Sequence, residues 1–365
     1  MRRIPYVSTP VKDGIGVLHC GNTLSMNKLP TISIVTGIWN PSLTLFERML
    51  KSLKLQVYPK RLLEHIIFDA GSTNGAVQLA RKYGCDVTVR SDLAEGEQVR
   101  QSLEIKKARG DIVLLLQSDN ILTSKNWLRE MVQPFLDNKK IFCTFSAYNS
   151  YEKEMSATTR YGAFFGAGDP VLYYLGKSDK IPLLQTTYDK GKIIDEKQGY
   201  WVVKFTKDTL PTMGDNGHMV LRSAIRKVNK DPNSYTHVDA FADMLHLGYD
   251  TCAAVKNSVI HVIGPNMLTY AQRRLQVKQK FYDGRRGKRR YLVFNWKSSR
   301  DRFNAMKYVA LSVTIVFPLY ESIRGYIKIR DAAWFLHPIL SFIMLFAYGA
   351  SEFRWFIKNF MKSLT

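Results

Sequence analysis

Four successive pairs of an apolar strand and an amphipathic helix, packed into the stretch from Thr31 to Leu136, restrict this chain's fold more than any other feature. Thr31-Ile-Ser-Ile-Val-Thr36 is a β-branched run suited to a buried strand, and Leu43, Phe46, Met49, Leu50 and Leu53 fall on one helical face. The alternation repeats with strands at 64–68, 86–89 and 111–116, helices at 76–83, 97–108 and 125–136, and a further strand at 141–148. Such alternation with continuous apolar strands predicts an α/β fold, a Rossmann-like and mostly parallel sheet flanked by helices. Ligands in such sheets bind beyond the carboxyl ends of strands. The informative residues are then Thr36 to Asn40, Asp69 to Gly75 and Gln117 to Asn120.

The remainder is less regular. Residues 1–30 read as an irregular arm carrying Gly14, Gly16 and Gly21. From 148 to 210 the periodicity loosens around the turn signals Gly166-Ala-Gly168-Asp-Pro170. A helix is expected over 238–247, with strand-like runs at 251–255 and 258–262.

The net charge of +22 would attract nucleic acid, anionic lipid or phosphorylated substrates alike, and its placement separates them. Between Arg273 and Lys307 stand thirteen Lys or Arg against only Asp283 and Asp301, a local +11. Two apolar runs follow directly, 308–320, interrupted by Pro318, and 332–350, which approaches spanning length. A polybasic segment leading into apolar runs is the pattern of anionic headgroup contact, whereas nucleic-acid binding would interleave the charges with stacking aromatics. Anionic membrane lipids are therefore expected as partners and nucleic acid is not. A pair of buried helices is the alternative reading of the two runs. Cys20, Cys85, Cys143 and Cys252 are widely spaced, which favours a reducing, cytoplasmic setting. The N-terminal Met-Arg-Arg-Ile-Pro-Tyr lacks the apolar core of a secretion signal. No Gly-x-Gly-x-x-Gly follows an early strand, which argues against dinucleotide chemistry.

Two carboxylates end apolar strands about 50 residues apart. Asp69 precedes the small-residue turn Ala-Gly-Ser-Thr, so it can accept a hydrogen bond from a base-ring N–H while the Gly71 and Ser72 backbone approaches a nucleotide; it can equally stabilise its own turn. Asp119 offers the hard oxygen that Mg²⁺ or Mn²⁺ takes beside a diphosphate, or else it caps a turn. Their equivalent positions in one sheet favour a shared site over two coincidences.

These stretches resemble an inverting glycosyltransferase of family 2, which has the GT-A fold. Thr31 to Asn40 resembles the family's opening strand, and Asp69-Ala-Gly-Ser-Thr-Asn-Gly75 is similar to its nucleotide-binding turn. Gly110-Asp-Ile-Val-Leu-Leu-Leu-Gln-Ser-Asp-Asn120 matches its metal-binding segment, with Gln117 and Asn120 where further acids are common.

The resemblance implies a nucleotide-diphosphate sugar donor held by Thr36, Asn40, Asp69, Gly71, Ser72, Arg100, Ser118 and Asp119. It implies a divalent metal on Asp119 with help from His261, and a glycine-rich acceptor loop at Gly214, Asn216 and Gly217 within Met213-Gly-Asp-Asn-Gly-His-Met-Val-Leu-Arg222. The base is expected at Asp239, with Asp243 in reserve, because His237-Val-Asp-Ala-Phe-Ala-Asp-Met-Leu-His-Leu-Gly-Tyr249 fits the family's catalytic helix. Gln272, Arg273 and Arg274 are expected to hold diphosphate. The implied architecture is a GT-A domain at 31–265, with a nucleotide-binding half at 31–148 and an acceptor half at 149–265. A basic juxtamembrane segment at 266–307 and hydrophobic membrane-associated helices at 308–365 complete it. The implied activity is transfer to a lipid-linked or saccharide acceptor at the cytoplasmic face of the cell membrane. A nucleotide-sugar-binding membrane protein with weak or lost activity is the alternative that Gln117 motivates.

Overall fold

The computed structural model describes residues 29–94, 96–264, 266–284 and 287–364. The expected arm lies outside the described residues up to position 28, as do Arg285 and Arg286 of the basic segment. The chain divides into two compact units. The first comprises the described residues up to 146 with 194–202 and 214–260, and the second comprises 147–193, 203–213 and the chain from 261 onward.

The first unit holds the alternation. β1 (Ile32–Ile38), α1 (Leu43–Lys54), β2 (Leu63–Asp69), α2 (Ala76–Lys82), β3 (Asp86–Val89), α3 (Glu97–Lys107), β4 (Ile112–Leu115), β5 (Asn120–Leu122) and α4 (Trp127–Asp137) follow in chain order. β3, β2, β1 and β4 lie side by side and parallel. Ile38 stands opposite Asp69 and Val35 opposite Leu115, so the ends of β1, β2 and β4 reach one edge together.

Beyond β4 the sheet continues through β9 (His218–Leu221), β6 (Cys143–Ser150), β10 (Thr251–His261), β8 (Tyr200–Lys204) and β7 (Lys192–Glu196), with β5 paired to β10. β9 runs antiparallel to both β4 and β6. The sheet is therefore mixed, and its parallel character ends where β4 meets a strand entered through the 214–217 turn instead of a helical crossover. α7 (Arg222–Val228) and α8 (His237–His246) follow β9.

Local chemistry explains these elements. α1 buries Phe46, Met49, Leu50 and Leu53 at helical spacing against Ile32, Ile34 and Ile38 of β1, at roughly 1.5–3 kcal/mol for each large side chain removed from water. Gly110 donates its N–H to Ser33 Oγ at 2.7 Å, and Asp111 Oδ2 accepts from the Thr31 backbone and hydroxyl at 3.0 and 2.8 Å. A Cβ on Gly110 would fall 2.7 Å from the Ser33 backbone nitrogen, so β4 can only enter beside β1 through glycine. The two runs expected at 251–255 and 258–262 form one strand, β10. Lys256 bonds Glu196 at 2.6 Å and Asn257 bonds Glu130 at 3.0 Å, so these polar residues interrupt hydrophobicity without interrupting the ladder.

α3 is the exception to apolar packing. Its buried residues are Gln98, Arg100, Gln101, Ser102 and Glu104, with Ile105 the one apolar member. Buried polar groups require partners, and the partners of α3 lie around the carboxyl edge of the sheet.

The second unit is aromatic and helical, with α5 (Ala157–Phe165), α6 (Pro170–Tyr174), α9 (Met267–Val277), α10 (Ser299–Thr314), α11 (Val316–Lys328) and α12 (Leu336–Leu364). Phe164 stacks on Trp334 at 4.3 Å between ring centres, and Lys177 pairs with Asp301 at 3.3 Å with both side chains buried. The apolar run at 308–320 is divided between α10 and α11, which meet at 80° through Ile315 in the left-handed region (φ 60°). Pro318 falls in the first turn of α11, where its missing N–H leaves no helical bond unmade. Residues 332–357 form a helix long and apolar enough to cross a membrane. Met306, Val309, Val313, Val316, Ile323 and Ile327 are exposed along α10 and α11.

Candidate functional site

The turn after β2 is set by one carboxylate. Asp69 is fully buried; its Oδ2 accepts from the Gly71 and Ser72 backbone N–H groups, both at 2.9 Å. Its Oδ1 is buried and has no hydrogen-bond partner. One oxygen thus closes the turn and the other is a buried acceptor without a donor. Gly71 adopts φ 86°, and a Cβ there would stand 2.8 Å from Ser91 Oγ. The turn is also tied to the end of β1: Asn40 donates its backbone N–H to Ser72 Oγ at 2.8 Å, and its side-chain oxygen accepts from the Thr73 N–H at 2.9 Å. Trp39, 49% exposed, stands beside this junction in sequence.

Not every expected residue faces the same way. Thr36 is buried and shares a 3.0 Å hydrogen bond with His65 Nε2, whose other ring nitrogen meets Cys85 Sγ at 3.2 Å. Burial pushes the His65 imidazole down to about 4. Arg100, 5% exposed, is no surface residue: its guanidinium donates to the Leu93 and Ala94 carbonyls and so holds the 91–94 segment. Beside it Glu104 accepts from the Phe68 N–H at 3.3 Å, and burial raises its carboxyl to about 8.

Asp119 and Ser118 are half-buried at the end of β4. From Asp119 a chain of side chains leads across the edge. Asn120 Nδ2 donates to Asp119 Oδ1 at 3.2 Å and to Asn216 Oδ1 at 3.1 Å, and Asn216 Nδ2 donates to Asp215 Oδ1 at 2.7 Å. Asp215 Oδ2 then lies 3.9 Å from His237 Nε2. Gln98 of α3 accepts from His237, and Gln101 donates to the Gly214 carbonyl at 3.2 Å. The expected acceptor loop and the first turn of α8 are thereby joined to Asp119 through α3 and Asn120. Asp239 is 1% exposed and its backbone N–H is capped by Thr236 Oγ1 at 3.3 Å; Asp243 is half-buried one turn further on.

Residues 33–206 match the family model described as Glycosyl transferase family 2. This segment belongs to glycosyltransferase family 2. Among solved structures, the mannosyltransferase PcManGT of Pyrobaculum calidifontis, in complex with GDP-Man and Mn²⁺, aligns at 13% identity over 88% of this chain and 87% of its own, with a TM-score of 0.51. That likeness is one of fold, the GT-A arrangement. Glucosyl-3-phosphoglycerate synthase of Mycobacterium tuberculosis, in complex with Mn²⁺ and UDP-glucose, is similar at 17% identity over 76% of this chain and 86% of its own, with a TM-score of 0.43. No curated protein matches the sequence.

The chain is therefore a glycosyltransferase with a GT-A fold, and the turn after β2 and Asp119 lie inside the family 2 match while α8 lies beyond it. His261 closes β10, and Gln272, Arg273 and Arg274 lie on α9 of the second unit, where Arg274 faces Asp169 at 3.6 Å. Among the described residues no group of three or more His, Cys, Asp and Glu is gathered as a metal cluster. Sequence reading missed Gln98, Asp215 and His237. The one available signal was a predicted helix at 97–108 whose inward positions are polar.

Proposed function

We propose that this glycosyltransferase moves a sugar, with inversion, from a nucleotide-diphosphate sugar to a lipid-linked or saccharide acceptor at the cytoplasmic face of the cell membrane. The observation that carries the donor half is the unsatisfied Oδ1 of Asp69. A buried acceptor left without a donor costs about 1–3 kcal/mol, and a nucleobase ring N–H supplies the missing donor in a turn otherwise closed. Asn40, Gly71 and Ser72 frame that turn, while Thr36 bonds His65 and Arg100 holds the 91–94 segment whose Ser91 adjoins Gly71.

Asp119 fits a divalent cation, Mn²⁺ or Mg²⁺, as a half-open hard oxygen donor whose remaining coordination comes from substrate phosphates, the usual arrangement for Mg²⁺ sites of this kind. When bound, the cation offsets the charge that builds on the departing diphosphate. The base comes from the first turns of α8, which carry His237, Asp239 and Asp243. It accepts the acceptor hydroxyl's proton; the acceptor oxygen bonds to the anomeric carbon as the bond to the diphosphate oxygen breaks.

Membrane association rests on the local +11, the exposed apolar side chains of α10 and α11, and the long apolar helix at 332–357. On this reading residues 31–265 supply the chemistry, 266–307 meet anionic headgroups and 308–365 lie in or across the bilayer. The test is to incubate the chain with UDP-glucose, UDP-N-acetylglucosamine or GDP-mannose, Mn²⁺ and a membrane lipid extract. The reading expects nucleotide diphosphate release and a glycolipid product of inverted anomeric configuration. A retained configuration, or release that depends neither on the lipid nor on an added saccharide, would overturn it.

A further inference from the structure

We propose that the proton-accepting atom is His237 Nε2, with Asp215 stabilising the cation it becomes; this assignment rests on the glycosyl-transfer reading above. Asp239, the carboxylate that its place in sequence favours, is 1% exposed in the first turn of α8. His237, two residues earlier, keeps a fifth of its side chain open beside Asp215, which is about one-third open. A base must reach an incoming hydroxyl, and of these two only His237 presents itself to one.

The hydrogen bonds also fix its tautomer. Gln98 Oε1 accepts from the His237 backbone N–H and from ring Nδ1, each at 2.9 Å. The backbone group can only donate, so the Gln98 atom is the carbonyl oxygen, and Nδ1 must carry the ring hydrogen. Nε2 then holds the lone pair. Asp215 Oδ2 is 3.9 Å from Nε2, too far for a hydrogen bond and within ion-pair reach of the proton that Nε2 takes up.

The position is held by close packing as well. A Cβ on Gly214, whose φ is 111°, would stand 2.8 Å from His237 Cβ and 3.1 Å from Phe241, so the glycine of the acceptor loop is what lets the histidine sit beside Asp215. Asp215 is in turn tied to Asp119 through Asn216 and Asn120. The step balances: the acceptor hydroxyl's proton passes to Nε2, its oxygen bonds to the anomeric carbon, and the electron pair of the broken bond leaves on the diphosphate.

His237→Asn is the decisive variant, because its amide N–H can replace Nδ1–H at Gln98 while removing the base. The probes are UDP-glucose, UDP-N-acetylglucosamine and GDP-mannose with Mn²⁺ and membrane lipid extract, read as diphosphate release. UDP and GDP affinity is measured in parallel by calorimetry. The assignment expects kcat to fall about 10²–10⁴-fold with nucleotide affinity within twofold of wild type, and added imidazole to restore part of the rate to His237→Ala. His237→Asn within threefold of wild type, or a rate loss matched by lost nucleotide affinity, overturns it. A wild type that binds nucleotide yet releases no diphosphate from any donor overturns the parent reading, and this assignment with it.

Discussion

The turn after β2 and the first turn of α8 do comparable work by opposite means. At the turn after β2, geometry is imposed by the chain on itself: Asp69 captures two successive amides, Gly71 takes a left-handed conformation, and Asn40 ties the result to β1. At α8, geometry is assembled from separate elements, with Gln98 from α3, Asp215 from the loop before β9 and Thr236 as the cap. A site preset by backbone needs its residues adjacent in sequence and leaves a contiguous motif. A site assembled from side chains leaves only scattered polar residues.

Three substitutions would sharpen or break this contrast. Asp69→Ala removes both the clamp and the open acceptor, and losing a bond to a charged group costs about 1.5–3 kcal/mol, roughly a 10–150-fold weaker UDP or GDP affinity by calorimetry. Unchanged affinity would mean that the turn serves only itself. Asn120→Ala cuts the side-chain path between Asp119 and Asn216 and leaves the turn after β2 intact. The Mn²⁺ concentration for half-maximal turnover should rise about 10–100-fold, the usual effect of losing a ligand's supporting hydrogen bond, with metal-free nucleotide affinity unaltered.

Glu104→Gln has the smallest effect and is read in stability. With the buried carboxyl raised to about 8 from an ordinary 4.5, the unfolded chain releases this proton first as pH rises, so Glu104's contribution is full below 4.5 and lost through about 8. The glutamine variant should flatten urea stability across that window by about 1–3 kcal/mol. His65 works in the opposite sense: held down to about 4 from 6.5, it adds stability above 6.5 that is lost as pH falls through 4. A Glu104→Gln profile still falling between pH 5 and 8 would show that the carboxyl is ionised in the fold.

The same contrast explains what the sequence revealed. Strands β1, β2 and β4 and helix α1 were legible because burial there is apolar and periodic, and the turn at Asp69 was legible because it is contiguous. The antiparallel placement of β9 was not legible, since four short residues carry no mark of their neighbours' direction. Lys256 and Asn257 disguised one strand as two because their partners, Glu196 and Glu130, are distant in sequence. Asp215 and His237 went unread as a pair because only the fold sets them 3.9 Å apart. The 80° break at Ile315 was misplaced to Pro318, where proline in fact suits a first helical turn.

α3 has one more consequence. A helix that buries Gln98, Arg100, Gln101, Ser102 and Glu104 forgoes the water-to-oil transfer that α1 collects at equivalent positions. Heat tolerance would be easiest to gain there by apolar replacement, and such a replacement would loosen the carboxylate turn and the α8 loop together. A gain in stability at α3 would therefore be set against the geometry that its polar side chains hold at the turn and the loop.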